Sequence, residues 1–167
     1  GDHLDLHSFP TRRSSDLGSL FSDTGVPWIL PSPNMPTQQS AVVYPGTVLF
    51  EALNVSEGRG TTIPFELFGA PFIDSASLRK YLDNRKIPGS AFRIHNFIPT
   101  FNKYAGILCN GIQIHVTDPS VFYPVATAYE IIRGIIETSP AGSLKFNDPP
   151  YERSEEHTSE LQSPNTI

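Results

Sequence analysis

The sequence predicts an α+β fold, or one at its boundary with α/β: a small mixed sheet covered by two helices, over residues 76–85 and 119–138. Three observations predict it. Residues 111–118, GIQIHVTD, alternate Ile112, Ile114 and Val116 with Gln113, His115 and Thr117, as a strand with one dry face does. Residues 119–138 carry Val121, Val125, Ala128, Ile131, Ile132, Ile135 and Ile136 at helical spacing, an apolar stripe that needs a sheet to cover. The element order, strand, helix, strand, strand, helix, contains no repeat and no low-complexity stretch.

The elements follow in chain order. Pro27, Pro31, Pro33 and Pro36 make residues 18–40 a junction, since each removes a backbone donor and restricts its predecessor. Trp28, Ile29, Leu30 and Met35 would be costly to leave in water, so this stretch should lie against something, a closed cleft between two domains being one candidate. Thr37 caps a short helix over 38–44, ended by Pro45-Gly46, and 47–53 is a strand or a last helical turn. Residues 65–73, with Phe65, Leu67, Phe68, Phe72 and Ile73, read as a strand or extended segment. Asp74 or Ser75 caps a helix over 76–85, with Leu78, Tyr81 and Leu82 inward and Pro88-Gly89 as its stop. Residues 91–99 alternate as a strand, and 100–110 form a polar connection suited to a binding loop. Asp118 caps the last helix, Pro119 takes its first position, and it ends near Thr138 before Pro140.

Composition narrows the function classes. The chain has 167 residues, a formal charge of −5, one cysteine and no apolar run long enough to span a bilayer, which fits one soluble domain. Residues 1–17 back-translate into a sequencing-library adapter with Leu4 the one departure, and residues 153–163 into the opposite adapter. Residues 1–17 and 153–167 are therefore read as adapter-derived, disordered tails and 41–152 as the folded domain. The two flanks carry −1 and −2 of the −5, leaving −2, so no basic field argues for nucleic acid. Cys109 is alone, which excludes an internal disulfide framework and a cysteine metal site.

The stretch that packing does not explain is 54–66, NVSEGRGTTIPFE. Glu57 precedes Gly58-Arg59-Gly60, where the backbone is free to take positive φ and approach a ligand, and Thr61 and Thr62 add hydroxyls. It lacks the lysine and spacing of a phosphate loop, though an anion-binding nest and a merely solvated turn both stay open. Ser56 has no Gly-x-Ser-x-Gly setting, which argues against a serine hydrolase. His95 and His115 fall on polar strand faces and would approach one another if those strands are neighbours; two histidines alone make a poor metal site.

Several motifs together, PSPNMPT at 31–37, YPGTVLFEALNVSEGRGTTIPFELFGAPFID at 44–74, FIPTFNKYAG at 97–106 and GIQIHVTD at 111–118, resemble the exo-β-N-acetylmuramidase family of the NamZ type. The resemblance covers 18–152 and implies that this chain is the junction and C-terminal domain of a two-domain bacterial protein. Its missing partner would be a Rossmann-like N-terminal domain, with the active site in the cleft between the two. Ile63 stands where that family more often has arginine, and Ala52 where glycine is common.

The resemblance implies a peptidoglycan glycosidase that releases terminal N-acetylmuramic acid from muropeptides, exported in the parent protein. The alternative is a non-catalytic module that only binds peptidoglycan fragments. No cofactor or metal and no membrane span is expected, and the fragment alone should be inactive. Glycoside hydrolysis needs an acid and commonly a second carboxylate, and Glu57 is the candidate catalytic group, or else a structural acceptor for its own loop. Arg59, Thr61, Thr62, Asn102, Lys103, Tyr104 and His115 are the candidate substrate contacts. Arg59 suits the lactyl carboxylate of muramic acid, its alternative being a salt bridge to Glu57 or Glu66.

Overall fold

The computed structural model describes residues 20–147, so both adapter-like tails lie outside the described residues. Three antiparallel strands form the sheet: β1 (Leu67–Ala70), β2 (Ser90–Ile94) and β3 (Asn110–Val116), in the order β1-β3-β2. Three helices accompany it: α1 (Gln38–Thr47), α2 (Ser75–Arg85) and α3 (Pro124–Thr138). The α+β class stands. The sheet is antiparallel throughout rather than mixed, because β3 pairs with both neighbours by direct reversal.

Strand alternation places the core. Phe68 and Ala70, Phe92, and Ile112 and Ile114 share one face, where they meet Val43, Leu78, Leu82, Ala128, Ile131 and Ile135 from the helices. On the opposite face Leu67, Phe97 and Cys109 form a second buried cluster, flanked by Ile63 and Tyr104. Phe97 lies over the paired glycines Gly69 and Gly111, where a Cβ would stand 2.8 and 2.7 Å from its ring carbon Cε1.

α1 begins as expected, with the Thr37 hydroxyl accepting the Ser40 N–H at 2.9 Å. The buried Glu66 carboxylate also meets this helix start, accepting from Thr37 Oγ1, from Ser40 Oγ at 2.8 Å and from Gln39 Nε2 at 3.0 Å. The predicted stop at Pro45-Gly46 is absent: α1 runs on to Thr47 and tightens into a 3-10 turn over Val48–Ala52. Pro45 forfeits one helical hydrogen bond, and Gly46 serves close packing instead of termination. A Cβ on Gly46 would lie 2.0 Å from the Pro124 carbonyl oxygen and 3.2 Å from Ala128 Cβ, so α1 and α3 touch almost backbone to backbone.

α2 is capped by Asp74, whose Oδ1 accepts from Ala76 and Ser77 N–H while Ser77 Oγ donates to Oδ2; these Ser77 bonds hold its carboxyl below the usual range. It ends at Lys86, in the left-handed conformation, before Pro88 is reached. α3 begins five residues later than predicted, at Pro124. A helix from Pro119 would bury Pro124 in its interior, whereas Pro124 in the first turn loses nothing and keeps Tyr123 extended. Asp118 instead closes a turn by accepting from Ser120 N–H and Oγ. Of the predicted stripe, Ala128, Ile131 and Ile135 are buried, while Val121, Val125 and Ile136 face outward.

In the proline-rich lead-in, Phe21 and Trp28 pack edge to face at 5.3 Å, but Ile29 is 80 % exposed and Leu30 is also open to water. These two rings pack on each other, and the stretch meets the rest of the fold toward its end, where Met35 is half-buried and Thr37, Gln39 and Ser40 donate to Glu66.

The two glycine contacts of α3 differ in what yields. A Cβ on Gly134 would meet the Leu78 and Tyr81 side chains at 2.7 Å, and side chains can turn away. Gly46→Ala meets a backbone carbonyl, so it should destabilise by roughly 1–3 kcal/mol and by more than Gly134→Ala. Urea midpoints of the two variants give the comparison.

Candidate functional site

The loop after the 3-10 turn is pinned to β1 before it reaches its charged residues. Ser56 and Gly69 exchange backbone hydrogen bonds at 2.8 and 3.0 Å, and Phe65 N–H returns to the Glu57 carbonyl at 2.7 Å. Gly58 and Gly60 both sit at φ 80°, and a Cβ on Gly58 would lie 2.6 Å from the Leu67 carbonyl oxygen. The Gly58 carbonyl accepts from Thr61 N–H and from its hydroxyl. The Gly60 carbonyl accepts from the N–H and hydroxyl of Thr100, which zips this loop to the 97–110 connection. In that connection Asn102 and Tyr104 take left-handed backbone conformations.

The zipped loops bring Glu57, Arg59 and Lys103 together. Glu57 Oε1 lies 3.0 Å from Arg59 Nε and Oε2 lies 3.2 Å from Lys103 Nζ; the Glu57 side chain is only 2 % exposed. The Arg59 Nε contact is an ion pair without hydrogen-bond alignment, since that nitrogen makes no hydrogen bond among the described residues. Arg59 Nη2 donates to Glu51, and its guanidinium lies 5.3 Å from the Phe65 ring centroid. Lys103 Nζ also donates to the carbonyls of Phe50, Glu51 and Val55 at 2.7, 3.1 and 3.1 Å. An ammonium has three protons, so its donor capacity is fully spent inside the protein.

The other candidates are placed as follows. The Tyr104 hydroxyl donates to the Asn54 carbonyl at 2.8 Å, and burial, with Cys109 as a lesser influence, raises its pKa above the ordinary phenol value. Asn102 Oδ1 accepts from the N–H of Lys103. Thr61 stabilises its own turn and Thr62 is exposed; neither hydrogen-bonds to the charged cluster among the described residues. His115 lies opposite Ala91 on the sheet face away from the helices, and it does not join the cluster by any hydrogen bond among those residues.

His95 pairs with Gly111, so the two histidines sit four positions apart along β3, roughly 13 Å at strand spacing. The expected approach of the rings therefore fails on register, although the strands are neighbours. His95 Nδ1 instead lies 2.9 Å from Arg93, which also donates to Gln113. Of the two salt-bridge partners considered for Arg59, Glu57 is the one found. Glu51 was missed, and its signal was available: it is the lone charge in the apolar run TVLFEAL.

Glu57 meets neither solvent nor an open edge, so the cluster reads as a charge clamp with its outer rim at Arg59 and Glu51, 19 % and 24 % exposed. No group of three or more His, Cys, Asp or Glu among the described residues converges as metal ligands. A concavity of about 660 Å³ lies elsewhere, on α3, lined by Tyr123, Pro124, Val125, Ala126, Tyr129 and Glu130, with no member of the clamp. No described helix is long and apolar enough to cross a membrane.

Fold and clamp together define an α+β module built to present a charged rim between two cross-linked loops. The family described as exo-β-N-acetylmuramidase NamZ, C-terminal, matches residues 42–161, and the chain belongs to that family. The match extends into the stretch read as adapter-derived. The peptidoglycan β-N-acetylmuramidase NamZ of Bacillus subtilis (strain 168) is 52 % identical over 120 residues, covering 72 % of this chain and 29 % of that protein. A DUF1343 family protein of Bacteroides fragilis superposes with a TM-score of 0.66 at 27 % identity, over 70 % of this chain and 31 % of its own. The chain thus spans less than a third of either relative.

Two outcomes test the clamp and its surroundings. Lys103→Met takes a donor from four acceptors, of which the Phe50 and Glu51 carbonyls keep a second donor in Leu53 N–H and Asn147 Nδ2, and should cost about 2–3 kcal/mol, read as a lower urea midpoint. Cys109 is buried, and burial pushes its thiol from 9.0 up to about 11. A thiol held neutral by the fold stabilises fully below its ordinary value, and that contribution fades as pH rises through the folded value. Stability should fall between pH 9 and 11, and Cys109→Ala should flatten part of that fall, the rest belonging to Tyr104.

Proposed function

We propose that this chain is the substrate-positioning part of a glycosidase that releases terminal N-acetylmuramic acid from peptidoglycan fragments. Supporting it is the family membership, together with a relative, 52 % identical, whose name gives that activity. The observation that carries the division of labour is Glu57, a carboxylate held between two cations and sealed from solvent.

A general acid must reach the leaving oxygen, and a base or nucleophile must reach the anomeric carbon or its attacking water. Glu57 reaches neither in this arrangement. It serves as a positioning residue that fixes the Arg59 guanidinium and ties it, through Lys103, to the second loop. Arg59 then offers a planar donor edge to the lactyl carboxylate that distinguishes muramic acid from other amino sugars. The reacting carboxylates come from the remainder of the parent protein, which is exported, as access to peptidoglycan requires.

The same observation gives weight to the second reading, a module that binds and never reacts. Assaying a chromogenic muramide separates them. The chain alone should release no sugar, and the reading frame restored to the full length of its relatives should do so. In the restored protein Glu57→Gln should raise KM severalfold with a smaller change in kcat, since it loosens Arg59. Turnover by the chain alone, or unchanged constants in the variant, would remove Glu57 from this role.

A further inference from the structure

We propose that Glu51 is a displaceable occupant of Arg59, holding the guanidinium's outer edge until the carboxylate of a sugar acid replaces it. The inference rests on the reading of Arg59 given under the proposed function. Its basis is an asymmetry between the two carboxylates that share this arginine. Glu57 is sealed inside with both oxygens engaged, whereas Glu51 is 24 % exposed and reaches Arg59 from the rim.

The backbone beneath Glu51 is fixed independently of its side chain. The Glu51 carbonyl accepts from Lys103 Nζ at 3.1 Å and from Asn147 Nδ2 at 2.8 Å. Asn147 Nδ2 also donates to the Leu53 carbonyl, and Asn147 N–H to that of Ala52, so the segment from 51 to 53 is strapped down. The Glu51 side chain can therefore swing away by rotation alone, with no change in the 3-10 turn that carries it.

Arg59 also stays in place when Glu51 leaves. Its Nε side remains against Glu57 and its guanidinium near the Phe65 ring, while the flanking Gly60 is held against Thr100. What is vacated is a planar N–H edge already oriented toward the rim, which suits a carboxylate better than a hydroxyl. Because the Arg59–Glu51 pair is only part-buried and reaches solvent on the Glu51 side, a ligand carboxylate can exchange for Glu51 from the rim. An unoccupied guanidinium edge would instead attract any anion, so Glu51 confers selectivity for ligands that bring further contacts.

Titrating the 167-residue chain with N-acetylmuramic acid and with N-acetylglucosamine, which lacks the lactyl carboxylate, tests this by NMR. Glu51→Gln should tighten N-acetylmuramic acid binding about fivefold, the scale of one partly exposed ion pair, and leave N-acetylglucosamine unchanged. Glu51→Asp, which retracts the carboxylate by one methylene, should tighten in the same direction and serves if the glutamine variant folds poorly. Adding Arg59→Lys to Glu51→Gln should abolish the gain. Unchanged or weaker binding of the acid by the Glu51 variants, with the parent chain still selecting it over N-acetylglucosamine, overturns the displacement and leaves the proposed function standing. Failure of every form to distinguish the two sugars overturns both.

Discussion

The ammonium of Lys103 is the tie on which the arrangement of the loops depends. It enters between the carbonyls of Phe50, Glu51 and Val55 and reaches the Glu57 carboxylate, joining one connection to a turn about fifty residues earlier in the chain. Neither segment is a regular element along its full length, and each carries backbone polar groups that a buried location would otherwise leave unmatched. One cation with three protons lies within hydrogen-bond reach of four acceptors, and the Arg59 guanidinium takes the other side of the same carboxylate. The clamp is thus a scaffold first, and whatever it offers a ligand is confined to its outer edge.

The helical side of the sheet has a different logic. There the helices approach through missing side chains: Gly46 sets α1 against the start of α3, and Gly134 admits Leu78 and Tyr81 of α2. Close helix contact holds the sheet from one face while the zipped loops hold it from the other. The Glu66 carboxylate spans these two regimes, binding the start of α1 from a residue whose carbonyl accepts the Ile114 N–H of β3.

Most of the fold was legible because polarity alternation and helix capping are local signals. The strand at GIQIHVTD, the Thr37 cap and the Asp74 cap all fell where periodicity and capping chemistry put them. Two boundaries were not, and proline and glycine explain each. Pro119 and Pro124 both satisfy a helix start, and only the cost of an internal proline decides between them. Pro45-Gly46 resembles a stop unless one knows that α3 presses on the glycine. α2 ends at Arg85 where the sequence put it, but the stop is Lys86 turning left-handed and not Pro88-Gly89, a choice that a lysine does not advertise. At the clamp, Glu57 and Arg59 were recognisable as an unusual pair, and Lys103 as a polar residue of the second loop. That the lysine points inward, and that Glu51 completes the set, depends on contacts across about fifty and eight residues that no local pattern encodes. His95 and His115 show the converse: adjacency of strands was inferable, while their offset is a property of register.

Register itself has a guard in the ring of Phe97. Alternating polarity forbids slippage by one position, because every side chain would change faces, but it tolerates slippage by two. Moving β3 by two positions against β1 would separate Gly69 from Gly111 and bring a bulkier neighbour under the ring, where the space allows no carbon beyond Cα. The paired glycines therefore act as a keyway, admitting one alignment out of a set that hydrophobicity alone ranks as equal.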